Sequence, residues 1–345
     1  MATGDDDTHP SSRASTDPLD VVVVGSALVD VLAYSSDGEI SRIGLEKGAM
    51  TLVGLEEAAR IYVEMGPATE VSGGSAANTA VGVAMLGGRA GYVGKVAEDE
   101  LGEVFVHDIT AAGVEIGQLA VAKIEGPGSD SATGRCLVLV SEEGERTMAT
   151  HLGVASTLVP SDVDEDLISR AQVLYLEGYL WDVEDAKAAM RRAIEVAHRG
   201  EAMVALTLSD PFCVGRHQRE FLDLLHGDLD MVFANEDEAR LLFGSPSLEH
   251  ALSCISETGV LAAITRGASG SVVVGAGEPA YIAAEPVTSV VDTTGAGDLY
   301  AAGFLYALTH GREPGECAHM GGLCAAEVIS HIGARPESDL KVYVT

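Results

Sequence analysis

DTTGAGDLYAAGFLYAL, residues 292–308, sets a run of small residues between two aspartates and follows it at once with an apolar, helix-forming segment. Glycine permits a tight turn, and the first amides of a helix lack intrahelical acceptors and carry the positive end of the dipole. The turn Gly295-Ala296-Gly297 can therefore cradle an anion on bare backbone. Asp298 stands just behind it. Taken alone, an Asp there reads as a capping residue. Beside a bound anion it suits a base that takes a hydroxyl proton while the amides stabilise a transferring phosphoryl group.

Other segments carry related signals. VSGGSAAN, residues 71–78, is a second glycine turn, with Gly73 and Gly74 open to a ligand and Asn78 one helical turn inside. The same pattern would serve a helix that packs closely through its alanines. Asp30 follows an apolar strand, four residues after Ser26. A carboxylate in so apolar a run needs partners, which vicinal sugar hydroxyls or a turn could supply. Asn235-Glu-Asp-Glu238 opens a helix, where acidic residues belong in any case. Asn235 and Glu238 could also hold Mg²⁺ and phosphate through water. Thr265-Arg266-Gly267-Ala-Ser-Gly270 follows a strand, and Arg266 there could pair with phosphate or with a surface carboxylate. The chain has no GxxxxGK[ST], no GxGxxG after its first strand, no HExxH and no GxSxG.

The pattern between these segments predicts a doubly wound α/β fold. Strands are expected at 20–24, 90–97, 173–179, 203–210, 231–235 and 261–267, alternating with amphipathic helices at 99–113, 182–200, 216–227, 236–244 and 247–259. Residues 133–153 and 271–284 read as hairpins, the first turning at Glu142-Glu-Gly-Glu145, and 314–333 as a closing helix. Two pieces break the alternation, about 31–70 and 116–153, and together would form a small β-sheet lid. The acidic, polar stretch 1–18 reads as a disordered tail, leaving 19–345 as the folded domain. Ligands of such sheets sit beyond the carboxyl ends of the strands, so the motifs could share one cleft.

With 53 acidic and 21 basic residues the net charge is −32, which argues against nucleic acid or an anionic membrane as a partner. Only five of the basic residues are lysine, a balance that suits solubility at high salt. Five scattered cysteines without a CxxC pair, and no signal peptide, predict a reduced cytoplasmic protein.

The motifs together resemble the ribokinase-like (PfkB) carbohydrate kinase family, from Val21 to about Pro336, and within it the adenosine-kinase-like branch. SGGSAANTAVGVAMLG is similar to that family's N-terminal signature, DTTGAGDLYAAGF to its C-terminal one, NEDE to its N-x-x-E motif, and IGARP to its closing Gly-Ala. The resemblance implies a Rossmann-like, mostly parallel sheet with a small β lid, and ATP-dependent phosphoryl transfer to a primary hydroxyl of a nucleoside or sugar, with adenosine first. Sugar kinases of fructose, ribose or 2-keto-3-deoxygluconate type, and a non-catalytic binding relative, are the alternatives. It further implies Asp298 as the base and Gly295, Ala296 and Gly297 as the anion hole. Ser26, Asp30, Gly73, Gly74, Asn78 and Arg146 would hold the acceptor. Asn235, Glu238, Thr265, Arg266, Gly267 and Gly270 would line the nucleotide site, with Glu238 reaching Mg²⁺ through water. Asp292 and Thr294 match a monovalent-cation (K⁺) site of some members, and lids of the family can join two subunits. Adenosine kinases carry Asn where this chain has Ser26, and several members carry His where it has Gly322. Tyr34, Tyr179 and Trp181 are the aromatic candidates to stack on a purine acceptor.

Overall fold

The β-branched runs and the small-residue helices build two sheets of unequal size. In a computed structural model, residues 17–123, 131–141, 145–275 and 277–344 are described. Residues 1–16 of the tail expected over 1–18, and the tip of the first hairpin (142–144), lie outside them.

Nine strands form the large sheet, in the order Ala280–Ile282, Ser271–Val274, Leu261–Thr265, Met231–Asn235, Met203–Thr207, Ala171–Glu177, Leu19–Val24, Ala90–Val93 and Glu115–Ile116. Pairing is parallel from Leu261–Thr265 to Glu115–Ile116, and the hairpin 271–282 adds two antiparallel strands. Val21 to Val24 are wholly buried, as a continuous apolar run in a two-sided parallel sheet must be. The chain winds one way from Leu19–Val24 and the other way from Ala171–Glu177. Strand order thus reverses between these neighbours, and a crevice opens beyond their carboxyl ends.

The second sheet has the order Met50–Leu52, Arg146–His151, Gly134–Val140, Leu28–Tyr34, Thr69–Gly73. Val29, Val31, Leu137, Leu139 and Ala149 of one face pack with Ile40 and Ile43 of the helix Asp37–Ile43 and with Ala58 and Ile61 of the helix Leu55–Glu64. Cys136, Val138 and Val140 of the other face pack with Leu32, Met148 and Ile332, toward the large sheet.

Three of the boundaries that differ from the expectation have a cause visible in the local structure. The run 90–97 is two strands, and Lys95–Ala97 pairs with Ala120–Ala122 in a sheet of its own. The strand expected to reach residue 179 ends at Glu177, because Gly178 turns the chain under the Thr207 carbonyl. The helix expected at 216 begins at Pro211, where Asp210 caps the Cys213 amide at 2.6 Å and Pro fits the first turn.

Small residues decide how the site helices meet. Ser75–Met85 lies against Ala296–Thr309, and a Cβ on Gly82 would stand 2.6 Å from that of Ala302. Gly303 in turn presses on the Met320 carbonyl of Pro314–Val328. This approach brings the two glycine turns, at the N-termini of the first two helices, side by side.

Candidate active site

Asp298 is held from across the turn. Its Oδ1 accepts a hydrogen bond from Ser75 Oγ at 2.6 Å and its Oδ2 one from Asn78 Nδ2 at 2.9 Å. Burial raises its pKa above the usual carboxylate range, while Ser75, Asn78 and the Arg335 charge pull it back down. Burial outweighs these pulls, so the carboxyl is more basic than an ordinary aspartate. Gly295 caps the Ala296–Thr309 helix in the left-handed region (φ +76°), and a Cβ there would meet Ala334 at 2.8 Å. Gly297 has open space on its side-chain face. The first amides of a fourteen-residue helix therefore face a cavity of about 250 Å³, which Ser75, Asn235, Glu238, Thr265 and Asp298 also line.

The second glycine turn forms the acceptor floor. A Cβ on Gly73 would stand 2.4 Å from the Asp30 carboxylate, and one on Gly74 (φ +91°) 2.3 Å from the Ser26 carbonyl. Asp30 lies within the lid strand Leu28–Tyr34, not in a turn after a strand as its sequence context suggests. Burial lifts its pKa to about 6, against the pull of Arg335 and Arg146 and with the push of Asp298. Among the described residues, Asn78 Oδ1 is buried without a partner, so it is ready to accept from a bound hydroxyl.

Sequence reading missed three participants. Glu177 ends the strand at the switch point, 1% exposed, and its Oε2 accepts from the Ser26 amide at 3.3 Å and the Ala76 amide at 3.1 Å. Burial raises its pKa to about 7. Arg335 grips the carbonyls of Ser72 and Ala77 beneath the floor. Ser75 lies within the second glycine motif, where no local signal sets it apart from its neighbours. A carboxylate closing an apolar strand, and an arginine beside the closing Gly-Ala, were the available signals.

A cavity of about 950 Å³ separates lid and core, lined by Ser26 and Glu177 and by Met50, Leu52, Met148, Leu180, Tyr179 and Phe212. Of the aromatic candidates only Tyr179 lines it. Trp181 is wholly buried in the core against Phe221, and Tyr34 points to solvent from the end of its lid strand. Phe212, 78% exposed, lines it as well.

On the other side of Asp298, a cavity of about 490 Å³ joins the anion turn through Ala296 and Gly297. Gly267, Gly270, Val287, Ala318, Gly322 and Ile329 give it apolar walls, and the absence of a side chain at Gly322 leaves room for a flat ring. Arg266 does not line it. Its guanidinium turns outward to Glu236 at 3.5 Å and over the Tyr281 ring at 5.6 Å. Asn235 and Glu238 form a reciprocal capping box at the anion cavity, with both Glu238 oxygens accepting from Asn235. Burial raises the Glu238 pKa to about 7. Committed in this way, Glu238 fits Mg²⁺ only through intervening water. Among the described residues, no group of three or more His, Cys, Asp or Glu is placed to hold a metal ion directly.

Asp292 does not suit a free monovalent-cation site. One of its oxygens accepts from the Thr294 amide at 3.0 Å, the other from the Gly333 amide at 2.8 Å, and the guanidinium of Arg146 pairs with it, both side chains being nearly buried. Arg146 thus latches the lid to the anion turn, and its charge also reaches Asp30 of the acceptor floor. Among the described residues, no helix is long and apolar enough to cross a membrane.

Comparison with known proteins gives the same picture. The family model described as pfkB family carbohydrate kinase matches residues 46–340. The crystal structure of adenosine kinase from Sinorhizobium meliloti superposes with a TM-score of 0.86 at 46% identity, covering 95% of this chain and 98% of that one. Adenosine kinase from Saccharomyces cerevisiae is 29% identical over 92% of this chain and 96% of its own length. A 5-dehydro-2-deoxygluconokinase from Bacillus licheniformis is 27% identical over 75% of this chain and 80% of its own. On this match and on the paired glycine turns around Asp298, the chain belongs to the pfkB family of carbohydrate kinases and is a phosphotransferase acting on a sugar or nucleoside hydroxyl.

Proposed function

We propose that this kinase transfers the γ-phosphoryl group of ATP to the primary hydroxyl of a neutral ribonucleoside, adenosine above others. The observation that carries the reading is the cavity between lid and core. A bare sugar needs polar walls all round, whereas much of this lining is apolar, with Met50, Leu52, Met148 and Phe212 beside the polar Ser26 and Glu177 and the charged Asp182, Asp210 and Arg216. A ribose suits Ser26 and Glu177, and a base suits the apolar residues. Charge argues against a sugar acid such as the substrate named for the Bacillus relative. Asp30, Glu177 and Asp298 surround the floor, and Arg216, on the cavity wall, is already paired with Asp182 at 2.7 Å and 2.8 Å.

In this reading, Asp298 takes the proton of the acceptor hydroxyl as the oxygen attacks, and Ser75 and Asn78 fix its aim. The Gly297 amide receives the charge of the transferring group, the Ala296 amide being bonded to the Thr293 carbonyl at 3.2 Å. Asp30 and Asn78 Oδ1 accept from the ribose hydroxyls. The adenine of the donor lies in the cavity between Gly267 and Gly322. Mg²⁺, held through water near Glu238, would neutralise the donor phosphates.

The test is an acceptor screen with ATP and Mg²⁺ at low and high salt, with products identified by mass. Adenosine, other nucleosides, ribose, fructose, 2-keto-3-deoxygluconate and 5-dehydro-2-deoxygluconate would be offered separately. AMP as the main product is expected. A sugar phosphate formed while adenosine is untouched would overturn the nucleoside reading.

A further inference from the structure

We propose that Arg335 is a positioning residue of the transfer site, fastening the acceptor floor to the anion turn and serving as the cation that Asp30 and Asp298 share. The proposal rests on the phosphoryl-transfer reading but not on the identity of the acceptor.

Three consecutive residues near the end of the chain reach both glycine turns. The Gly333 amide donates to Asp292 at 2.8 Å, and Ala334 packs against Gly295. Arg335 then crosses to the other turn. Its Nε and Nη2 donate to the Ser72 carbonyl at 3.0 Å and 2.5 Å, Nη2 also to Ser72 Oγ at 2.8 Å, and Nη1 to the Ala77 carbonyl at 3.1 Å. Ser72 precedes Gly73 and Gly74, and Ala77 precedes Asn78, so one planar fork grips the turn on both sides. Between its two holds lie Gly73, which abuts Asp30, and Ser75, which bonds Asp298. Asp108 anchors the assembly from below through the Ser72 amide at 2.9 Å and hydroxyl.

Charge follows the same geometry. Asp298 is faced by Glu177, Tyr175 and Tyr179 from the core, by Asp30 from the lid and by Arg335 from the closing segment. Arg335 is the cation acting on Asp298, whereas Asp30 is also acted on by Arg146. Burial lowers the Arg335 pKa to about 10, which still leaves it charged near neutrality. Losing this cation would favour the protonated, inactive form of Asp298.

The experiment compares Arg335→Gln and Arg335→Lys with the unaltered enzyme, using the best acceptor from the screen. It records kcat and acceptor KM across pH, with thermal melting as the check on folding. For Arg335→Gln the acidic limb of the kcat profile should move up by about one pH unit, with acceptor KM raised about tenfold. Arg335→Lys keeps the charge and loses the fork, so the limb should stay while KM rises. A folded Arg335→Gln with unchanged limb and unchanged KM would overturn the proposal. If that variant does not fold, Arg335→Lys decides, and an unchanged acceptor KM overturns it. A sugar acceptor would refute the nucleoside reading alone and leave this test intact.

Discussion

At the scale of the residue, the chemistry depends on carboxylates that are difficult to keep charged. Asp298 sits where burial disfavours ionisation, and two side-chain donors with one buried arginine offset part of that cost. Asp298→Asn keeps the size of the group and removes the base. Turnover should fall about 10³-fold, with melting temperature and ATP binding largely retained. Near-normal kcat in a steady-state assay would refute its role as base. Glu177 makes a separate prediction. Burial has raised its pKa from the ordinary 4.5 to about 7, so the fold favours its protonated form. That stabilisation is complete below the unfolded value and is lost as pH rises through about 7. Asp30 and Glu238 titrate in the same sense, toward about 6 and about 7. The melting temperature of the ligand-free protein should fall as pH rises from about 5 to about 8. Glu177→Gln should flatten that slope, and an unchanged slope in thermal melts would show that Glu177 does not titrate there.

At the scale of the element, the site is two helix N-termini entered through glycine. Gly74 has φ +91°, and a Cβ there meets the backbone carbonyl of Ser26 at 2.3 Å. A carbonyl cannot swing aside as a side chain can, so Gly74→Ala should cost about 2 kcal/mol in a denaturant titration and raise acceptor KM. Wild-type stability would mean that the turn relaxes freely. The lid strand Arg146–His151 contributes its first residue to Asp292. Because this guanidinium supplies the positive charge, turnover should be equal in Na⁺, K⁺ and choline salts at matched ionic strength. A K⁺ requirement in that assay would show that the pair opens to admit the ion. The Asn235-to-Glu238 motif illustrates how one element serves twice. It reads as a helix cap and as a magnesium motif, and the capping box realises the first while its placement on the anion cavity leaves room for the second.

At the scale of the whole molecule, a net charge of −32 on 345 residues makes the compact state repel itself. Screening shortens the reach of that repulsion from about 10 Å at 0.1 M salt to about 3 Å at 1 M. The melting temperature should therefore rise over that range, and equally in NaCl and KCl, as scanning calorimetry would record. A flat or falling curve would mean that the local ion pairs, such as Lys95 with Asp162 at 2.8 Å, outweigh the general repulsion. The two helices over the lid also act at this scale, because they enclose its outer face within the single chain.

The sequence by itself determined the fold class and the two glycine turns. Both rest on local physics: apolar runs that must be buried, a period that alternates strand and helix, and glycines that only a tight turn or a close approach requires. Asp298, Gly73, Gly74 and Asn78 were legible because each sits in a short motif whose residue types imply one another. What only the tertiary structure decided came from residues far apart in the chain. Glu177 joins the site because the sheet reverses direction beside it, and Phe212 because a capped proline starts its helix early. Arg146 and Asp292, 146 positions apart, neutralise one another because the lid folds over the anion turn. Arg335 reaches Ser72 across 263 positions. A pattern read along the chain records neighbours within a few residues, whereas the partner of a buried charge is chosen by packing.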